Sequence, residues 1–424
     1  MRKIMTVFGT RPEAIKMAPL VKALEKDSML EPIIVVTAQH REMLDSVLKT
    51  FNIKPHYDLN IMKKGQTLSE ITAKSIIQLE QIMKKECPDM VLVHGDTTTT
   101  FSGALAAFYN HTSVGHVEAG LRSGNKYAPF PEEINRQMVS NIADLHFAPT
   151  IGAKRNLIQE NKDKTSIVIT GNTAIDTLNF TINKNYTSEL IEKHKNKKIV
   201  LLTVHRRENI GKPMEHIFKA VRDIVEDIED VVVVFPLHMN PEVRKLSYAY
   251  LENHPRIELI EPLDVVDFHN FANHAYLILT DSGGIQEEAP SLNKPVLVLR
   301  DVTERPEGVE AGTLKVIGTE YTHVYQEIRK LLKNKQVYNN MAYAQNPYGD
   351  GKASERICDS IKYYLGLTEE IPKEFEKLKN CWFICEHFMT ISVLNSTTIW
   401  IELTHKLPYI IIKIVWVERF PWLS

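Results

Sequence analysis

Tryptophan is missing from most of this 424-residue chain. All four tryptophans lie in its final segment, residues 381–424, as Trp382, Trp400, Trp416 and Trp422. That segment is apolar without a clear helical or strand period, and it does not match the composition of the preceding residues. We interpret it as an appendage unrelated to the rest, disordered or prone to aggregation through its exposed apolar side chains.

Long apolar runs are also missing. The most apolar stretch, residues 409–417, contains Lys413 and is followed by Glu418 and Arg419, so it is too short and too interrupted to cross a bilayer. The first residues, MRKIMTVFGTRPE, are typical of a strand and a turn and lack the apolar core and cleavage site of a signal peptide. We therefore expect a cytoplasmic protein that does not bind membranes.

Neither charge nor cysteine points to a special partner. The net charge of −2 creates no overall field that would attract nucleic acid. The four cysteines are too sparse for a disulfide framework. Cys381, Cys385 and His387 lack a suitably spaced fourth ligand, so no metal site is expected.

What the chain does contain is a regular alternation of strand-like and helix-like segments. A chain of this length is expected to form two domains. Apolar strand-like runs are found at residues 4–8, 32–37, 90–94, 113–118, 145–148 and 167–170, and again at 199–204, 231–235, 257–260, 276–280 and 296–299. Amphipathic helical patterns lie between them, for example at 68–85, 98–109, 213–227 and 323–332.

This alternation predicts an α/β fold with two doubly wound parallel sheets, covered by helices on both faces. The Lys- and Asn-rich stretch at residues 171–198 is the expected boundary between the two domains. Ligands of such sheets bind at the carboxyl ends of the strands, so the expected site is the cleft between the domains.

The stretch YLILTDSGGIQEEA, residues 276–289, is the most informative one. A strand ends in a polar turn, and Gly283 and Gly284 let the backbone approach a ligand closely. Free N–H groups at the following helix start suit a phosphate, Ser282 adds a hydroxyl donor, and Glu287 or Glu288 can accept from a ribose diol. The alternative is an ordinary strand–turn–helix with a Gly-rich turn.

Acidic residues follow the neighbouring strands. Asp96 and Glu118 end two sequential strands, which usually lie side by side. Glu132 and Arg136 are four residues apart and share one helix face. Three carboxylates and an arginine at one cleft would supply general acid and base groups. The alternatives are that Asp96 only caps a helix and that Glu132 and Arg136 form a surface salt bridge.

Basic residues lie at other strand ends. Arg11 and Lys16 are cations near a helix start, where the dipole disfavours them, and this indicates an anionic partner. Arg305 is placed to hold a diphosphate with two hydrogen bonds, and His238 offers a further nucleotide contact.

His205 ends the first strand of the second series. It is a candidate acid, base or phosphate donor, with a structural histidine bonded to a loop carbonyl as the alternative. Arg206 and Arg207 either bind phosphate or pair with Glu208.

Seven short motifs, in this order, resemble those of the non-hydrolysing bacterial UDP-N-acetylglucosamine 2-epimerases: GTRPEAIKMAPL, HGDTTTT, HVEAGLRS, PFPEEINR, VHRREN, TDSGGIQEEAP and RDVTERPEG. The resemblance runs from residue 1 to about residue 365. It implies the GT-B architecture, with Rossmann-like domains at residues 1–171 and 172–350 and a helix at about 352–366 that crosses back to the first domain. Residues 370–424 match nothing in the family.

The resemblance also implies roles for individual residues. The catalytic positions are Asp96, Glu118, Glu132, Arg136 and His205. The positions that hold the uridine diphosphate are Arg11, Lys16, His238, Ser282, Gly283, Gly284, Glu288 and Arg305. A second, activating UDP-GlcNAc site would involve Gln39, His40, Gln66 and Arg206, although Gly65 stands where some members have arginine.

The implied reaction inverts C2 of UDP-N-acetylglucosamine by elimination and re-addition of UDP, and its product feeds cell-surface polysaccharide synthesis. The implied partners are UDP-GlcNAc, UDP-ManNAc and a second copy of the chain. No cofactor is expected, and GTRPEA lacks the GxGxxG pattern of dinucleotide binders. The alternatives are a hydrolysing epimerase, a GT-B glycosyltransferase and a non-catalytic sensor of sugar nucleotides. The dense set of acids disfavours the glycosyltransferase.

Overall fold

The computed structural model describes residues 1–38, 41–63, 65–375, 399–406 and 409–416. The chain forms two compact units, Met1–Glu376 and Lys377–Ser424. No helix within the described ranges is long and apolar enough to cross a membrane.

The first half of the larger unit contains a seven-stranded parallel sheet. Its strands are β1 (Arg2–Phe8), β2 (Leu30–Val36), β3 (Tyr57–Asp58), β4 (Met90–His94), β5 (Ser113–Val117), β6 (Leu145–Ala148) and β7 (Ile167–Ile169). They lie in the order β3-β2-β1-β4-β5-β6-β7. The order therefore reverses between β1 and β4, and a crevice opens there at the carboxyl ends of the strands.

Seven helices accompany this sheet: α1 (Arg11–Lys26), α2 (Arg41–Thr50), α3 (Leu68–Glu86), α4 (Thr98–Tyr109), α5 (Glu132–Ile142), α6 (Ile151–Gln159) and α7 (Thr173–Thr181). The two faces of the sheet bury separate apolar cores. Ile4 and Phe8 pack beneath Met17 and Leu20 of α1, whereas Val7 faces the core on the opposite side. This division follows from the alternation of side chains along a strand.

The second half contains a six-stranded parallel sheet made of β8 (Lys198–Thr203), β9 (Val231–Pro236), β10 (Ile257–Ile260), β11 (Leu277–Thr280), β12 (Val296–Val298) and β13 (Leu314–Val316). The order β10-β9-β8-β11-β12-β13 repeats the reversal, now between β8 and β11. The helices here are α8 (Glu189–Lys193), α9 (Lys212–Asp227), α10 (Pro241–Leu251), α11 (Val265–His274), α12 (Gly283–Glu288), α13 (Pro306–Glu310), α14 (Tyr321–Lys333) and α15 (Lys335–Ala342).

The chain then returns to the first half through α16 (Ala353–Tyr364), close to the range predicted for a crossing helix. Ile357 and Ile361 of α16 are buried in the core that α1 covers. The two passages between the halves are adjacent, because the backbone N–H of Asn172 donates to the carbonyl of Tyr348 at 2.7 Å.

These observations confirm the predicted α/β class with two doubly wound sheets. The predicted strands recur with shifts of one or two residues at their ends, but the short edge strands β3 and β13 were not predicted. The domain boundary at residues 171 and 172 stays a prediction.

The smaller unit contains two strands that the sequence analysis did not predict. Ile399–Lys406 and Tyr409–Trp416 form an antiparallel pair of strands, β14 and β15. The rest of that segment, residues 376–398, 407–408 and 417–424, lies outside the described residues.

Glu374 and Phe375, which lie within the expected tail, form hydrogen bonds to β7. The backbone N–H of Phe375 donates to the carbonyl of Ile169 at 2.6 Å, and the N–H of Ile169 donates to Glu374 at 3.1 Å. Residues up to Glu376 therefore belong to the larger unit.

Candidate active site

The predicted site residues cluster where the order of each sheet reverses. Arg11 follows β1, and Asp96 follows the neighbouring strand β4. In the second half, His205 follows β8, and Ser282 follows its neighbour β11. Each pair thus lies at a topological switch point, where α/β sheets bind ligands.

Charged side chains from both halves meet in one buried network. Lys16 on α1 forms an ion pair with Glu118, which follows β5. Arg305 forms an ion pair with Glu287 on α12. The amide of Asn172 joins the two pairs, donating to Glu118 at 2.8 Å and to Glu287 at 3.0 Å. No more than 15% of the Lys16, Glu118, Glu287 or Arg305 side chain is exposed, so water screens these charges little.

The network shifts the pKa values of its two carboxylates in opposite directions. Burial alone would raise the pKa of Glu118, but the positive charge of Lys16 lowers this pKa well below its ordinary value. Burial raises the pKa of Glu287, and Arg305 and Lys16 offset this only in part. Lys16 has a raised pKa despite its burial, because Glu118 and Glu287 favour its charged form. The structure thus holds Glu118 as a carboxylate and Lys16 as an ammonium.

Asp96 is the second candidate acid. Arg136 approaches it at 2.7 Å between Nη2 and Oδ2, and the Asn135 amide donates to its backbone carbonyl at 2.9 Å. Burial raises the pKa of Asp96 above its ordinary value, although Arg136 opposes this rise. Asp96 is therefore protonated more readily than Glu118.

Two alternatives were wrong, namely that Asp96 only caps a helix and that Glu132 forms a surface salt bridge with Arg136. The residue that caps α4 is Thr97, whose hydroxyl accepts from the N–H of Thr100 at 3.2 Å, and not Asp96. Arg136 pairs with Asp96 and lies 3.5 Å from Glu133, instead of forming a surface salt bridge with Glu132.

Glu132 faces the same cluster, since its charge acts on Asp96. Its buried Oε2 has no hydrogen-bond partner within the described part of the chain. The charge of Glu132 contributes to the raised pKa of Asp96, as does the charge of Glu118. The three predicted carboxylates therefore converge.

In the second half, the buried Asp281 organises the loop after β8. It accepts hydrogen bonds from the backbone N–H groups of His205 and Arg206 at 3.0 and 2.9 Å, and from the amide of Asn209 at 2.9 Å. Sequence reasoning overlooked Asp281, although an aspartate directly after an apolar strand was the available signal. Its effect is to fix the backbone of His205 and leave the imidazole ring partly exposed.

The His205 ring stacks on His238 with 5.0 Å between ring centroids. Burial and the neighbouring His205 lower the pKa of His238. The two imidazoles line the second half of the cleft, at the ends of adjacent strands β8 and β9.

Two guanidinium groups flank the Gly-rich turn. A Cβ atom placed on Gly283 would lie 3.8 Å from Arg206 and 4.0 Å from Arg305, whereas one on Gly284 would meet no described residue within 4 Å. Ser282 precedes α12 and makes no side-chain cap bond to it. This arrangement of free backbone, hydroxyl and two guanidinium groups suits a phosphate.

The remaining predicted residues are less central. Arg11 lines a cavity of about 300 Å³ together with Leu263 and Asp264. Glu288 lies 3.4 Å from His269 on α11, whereas Glu287 faces the charged network. Arg207 does not pair with Glu208, which instead approaches Arg300 at 3.3 Å.

The predicted second site is only partly described. Gln39 and His40 lie outside the described residues. Gln66 accepts a hydrogen bond from the backbone N–H of Lys63, and Gly65 beside it has a positive φ of 76°. Arg206 lies beside Gly283, at the candidate phosphate position.

Sequence reasoning also missed three buried groups around the site. Glu13 accepts from the N–H of Thr10 at 2.8 Å and from the hydroxyl of Thr97 at 2.7 Å, so it ties the loops after β1 and β4 together. His94 lies 4.0 Å from Glu118, and burial lowers its pKa to about 4. His116 bonds the carbonyl of Gly95 at 2.7 Å, next to Asp96.

Among the described residues, no group of three or more His, Cys, Asp or Glu side chains could hold a metal ion.

Comparison with known proteins shows the family of the chain. The family model described as UDP-N-acetylglucosamine 2-epimerase matches residues 22–362. The chain belongs to this family. The UDP-N-acetylglucosamine 2-epimerase of Bacillus subtilis is 59% identical over 373 residues, which cover 88% of this chain and 98% of the relative. The enzyme of the same description from Escherichia coli is 50% identical and covers 85% of this chain and 98% of its own length.

Solved structures of the family superpose closely. The complex of S. aureus MnaA with UDP has 66% identity and a TM-score of 0.81, covering 89% of this chain and 100% of that one. The Neisseria meningitidis UDP-GlcNAc 2-epimerase bound to UDP-GlcNAc has 46% identity and a TM-score of 0.77, covering 85% and 99%.

Anabaena HepE in complex with UDP and glucose shares the fold alone, at 14% identity and a TM-score of 0.59 over 85% of this chain and all of that one. The predicted family, the GT-B-like fold and the assignment to the isomerases are thereby confirmed.

Proposed function

We propose that the chain interconverts UDP-N-acetylglucosamine and UDP-N-acetylmannosamine at C2 without net hydrolysis, in the cleft between the two sheets. One observation carries the proposal: the ionised Glu118 and the protonatable Asp96 lie at the carboxyl edge of the first sheet and share one electrostatic cluster with Lys16 and Glu132. Across the cleft, the second half offers a phosphate position between Arg206, Arg305 and the turn at Gly283.

In this proposal the nucleotide binds the second half. Gly283, Gly284 and Ser282 present backbone and hydroxyl donors to the diphosphate, while the Arg305 guanidinium neutralises its charge. His205 and His238 lie at neighbouring strand ends and donate to the leaving phosphate oxygen. The family relatives solved with UDP and with UDP-GlcNAc support this choice of ligand.

The C2 proton of the sugar is not beside a carbonyl group, so its removal is coupled to elimination of UDP. Inversion of C2 then needs two proton-transfer groups, because the proton is removed from one face and returned to the other. A base removes that proton, the C1–O bond breaks, and its electron pair leaves with UDP to give a C1–C2 double bond. Re-addition returns a proton to the other face of C2 while a UDP oxygen attacks C1. We assign the base role to Glu118, which is ionised, and the acid role for one direction to Asp96, which is protonated more readily than Glu118.

Arg136 and Glu132 complete the machinery on the acid side. Arg136 orients the Asp96 carboxylate through the 2.7 Å contact. Oε2 of Glu132, which has no hydrogen-bond partner among the described residues, would stabilise the positive charge that develops at C1. Lys16 has two proposed roles, because it holds Glu118 in this structure and would also contact the diphosphate.

Nuclear magnetic resonance in deuterated water tests the proposal with UDP-GlcNAc as the sole added substrate. We expect UDP-ManNAc to form and deuterium to enter at C2. Accumulation of free ManNAc would instead indicate the hydrolysing epimerase. A requirement for a sugar acceptor would indicate a glycosyltransferase, and binding without turnover would indicate a sensor.

Further parts of the proposal concern partners and organisation. We propose a homodimer, and a second UDP-GlcNAc site involving Gln39, His40, Gln66 and Arg206 that activates the enzyme. We also propose that the nucleotide domain spans residues 172–350, that the protein is cytoplasmic, and that its product feeds cell-surface polysaccharide synthesis. Sedimentation and rate measurements at rising UDP-GlcNAc concentration test the dimer and the activation.

A further inference from the structure

The Asn172 side chain makes more hydrogen bonds than a helix cap requires. It precedes α7, and its side-chain oxygen caps that helix by accepting from the N–H of Ala174 at 3.0 Å. Serine or aspartate would cap the helix as well. The cap therefore does not explain the amide nitrogen.

That nitrogen is used elsewhere. It donates to Oε2 of Glu118 at 2.8 Å and to Oε2 of Glu287 at 3.0 Å, and only 2% of Asn172 is exposed. Two carboxylates sharing one NH₂ group repel each other, and in a buried setting water does not relieve this repulsion. An amide that donates a hydrogen bond to both carboxylates offsets part of this repulsion.

The two carboxylates belong to different halves of the cleft. Glu118 follows β5 of the first sheet, while Glu287 lies on α12 beside the Gly-rich turn. Asn172 itself stands where the chain passes from one half to the other, and its backbone N–H is bonded to Tyr348 on the returning passage.

We propose that Asn172 is a positioning residue of the epimerase. Its amide orients the Glu118 carboxylate toward C2, and through Glu287 it fixes the position of that carboxylate relative to the nucleotide half. This inference rests on the proposed function, because it assigns a proton-transfer role to Glu118. Asn172 does not touch the reacting atoms and acts through Glu118.

The charges that act on Glu118 come from several elements. They are Lys16 on α1, His94 on β4, Asp96 after β4, Glu287 on α12 and Arg305 before α13. Loss of the amide donor removes a hydrogen bond that favours the ionised form of Glu118, so the pKa of Glu118 should rise. A carboxylate in place of the amide should raise it further.

Asn172→Ser keeps the helix cap and removes the donor, and Asn172→Asp keeps the cap and replaces the donor by an acid. We expect kcat to fall by about 10- to 100-fold in the serine variant, equivalent to one lost hydrogen bond to a charged group, with little change in KM. The acid limb of the pH–rate profile should move to higher pH, and further in the aspartate variant.

A double variant separates positioning from folding. Asn172→Asp combined with Glu287→Gln exchanges the acid and the amide between the two positions, so a carboxylate–amide pair remains. We expect this exchange to restore part of both the thermal midpoint and kcat relative to Asn172→Asp alone. Restoration of the midpoint without kcat would show a structural contact only and overturn the inference.

Asn334 supplies the matched control. It caps α15 by accepting from the N–H groups of Gln336 and Val337, both at 3.1 Å, and it lies outside the site. Asn334→Ser and Asn334→Asp should leave the pH–rate profile unchanged.

The outcomes also distinguish this inference from the function on which it rests. A wild-type enzyme that does not interconvert the two sugar nucleotides overturns the proposed function, and the inference with it. An active wild type whose Asn172→Ser variant keeps the same kcat and acid limb overturns the inference alone.

Discussion

The two halves of the larger unit share a strand order but differ in what they place at the reversal. The first half presents acids, with Glu118 and Asp96 held by Lys16 and Arg136. The second half presents donors and open backbone, with Arg305 beside Gly283. In the proposed function, the same topology thus supplies an edge for proton transfer and an edge for anion binding, and the difference lies in the few residues after each strand.

Removal of the acids should have the largest effect and should leave the anion edge intact. Asp96→Asn and Glu118→Gln are each expected to lower kcat by about 10²- to 10⁴-fold, because each removes a general acid or base. Calorimetry should still detect UDP binding by both variants. Glu226→Gln, which changes a surface ion pair on α9, is the control and should turn over normally. Normal turnover in both site variants would reduce the acids to structural partners.

Loss of the guanidinium at the other edge should act on binding. Arg305→Ala is expected to weaken UDP binding by about 10- to 100-fold, since charge-assisted hydrogen bonds to the diphosphate are lost. Arg222→Ala, on the far helix α9, should leave the dissociation constant unchanged. An unaltered constant for Arg305→Ala would place this arginine outside the nucleotide site.

Sensitivity to acid should be concentrated in the first half. Burial lowers the pKa of His94 and of His146 to about 4, and that of His116 to about 3. Such histidines stay neutral when folded but protonate near pH 6.5 when unfolded, so their contribution to stability is complete above about pH 6.5. It is lost as the pH falls through about 4.

Thermal unfolding measured between pH 7 and pH 4 tests this expectation. The midpoint of the wild type should fall over that range, and His146→Gln should make the fall less steep. His323→Gln, on the exposed face of α14, is the control and should leave the slope unchanged. Equal slopes in the wild type and His146→Gln would contradict the assignment.

Removal of the smaller unit should have the least effect on the site. Deletion of residues 377–424 should leave kcat unchanged, because the larger unit ends at Glu376. Deletion from residue 371 should lower the thermal midpoint, since it also removes Glu374, which binds Lys154 at 2.6 Å, and the buried Phe375. Light scattering and the epimerisation assay compare both truncations with the full chain. Inactivity of the 377–424 deletion would show that the tail is structural.

Local patterns were enough to predict most strands and long helices, because apolar periodicity is a local property. The two-residue β3 and the three-residue β13 have too few side chains to show a period. Motif order predicted the acids and the Gly-rich turn, and these residues stand at the strand ends.

The partners of those residues were not predictable in the same way. Lys16 and Glu118 are 102 residues apart within the first half, so their contact depends on how that half folds. Asn172 and Glu287 are 115 residues apart, and their contact depends on how the two halves pack together. A cap residue such as Asn172 gives no local sign that its second polar atom has another use. Which of Glu287 and Glu288 faces the network likewise depends on the rotation of α12.

The adjacent passages at Asn172 and Tyr348 have a mechanical consequence. Two halves joined by one connection can rotate and also tilt relative to each other, whereas two adjacent connections restrict their motion to rotation about the axis through both. The 2.7 Å hydrogen bond between the two connections keeps them together. We therefore expect any opening of the cleft to follow one rotational path, so that each closure returns Glu118 and Arg305 to the same separation.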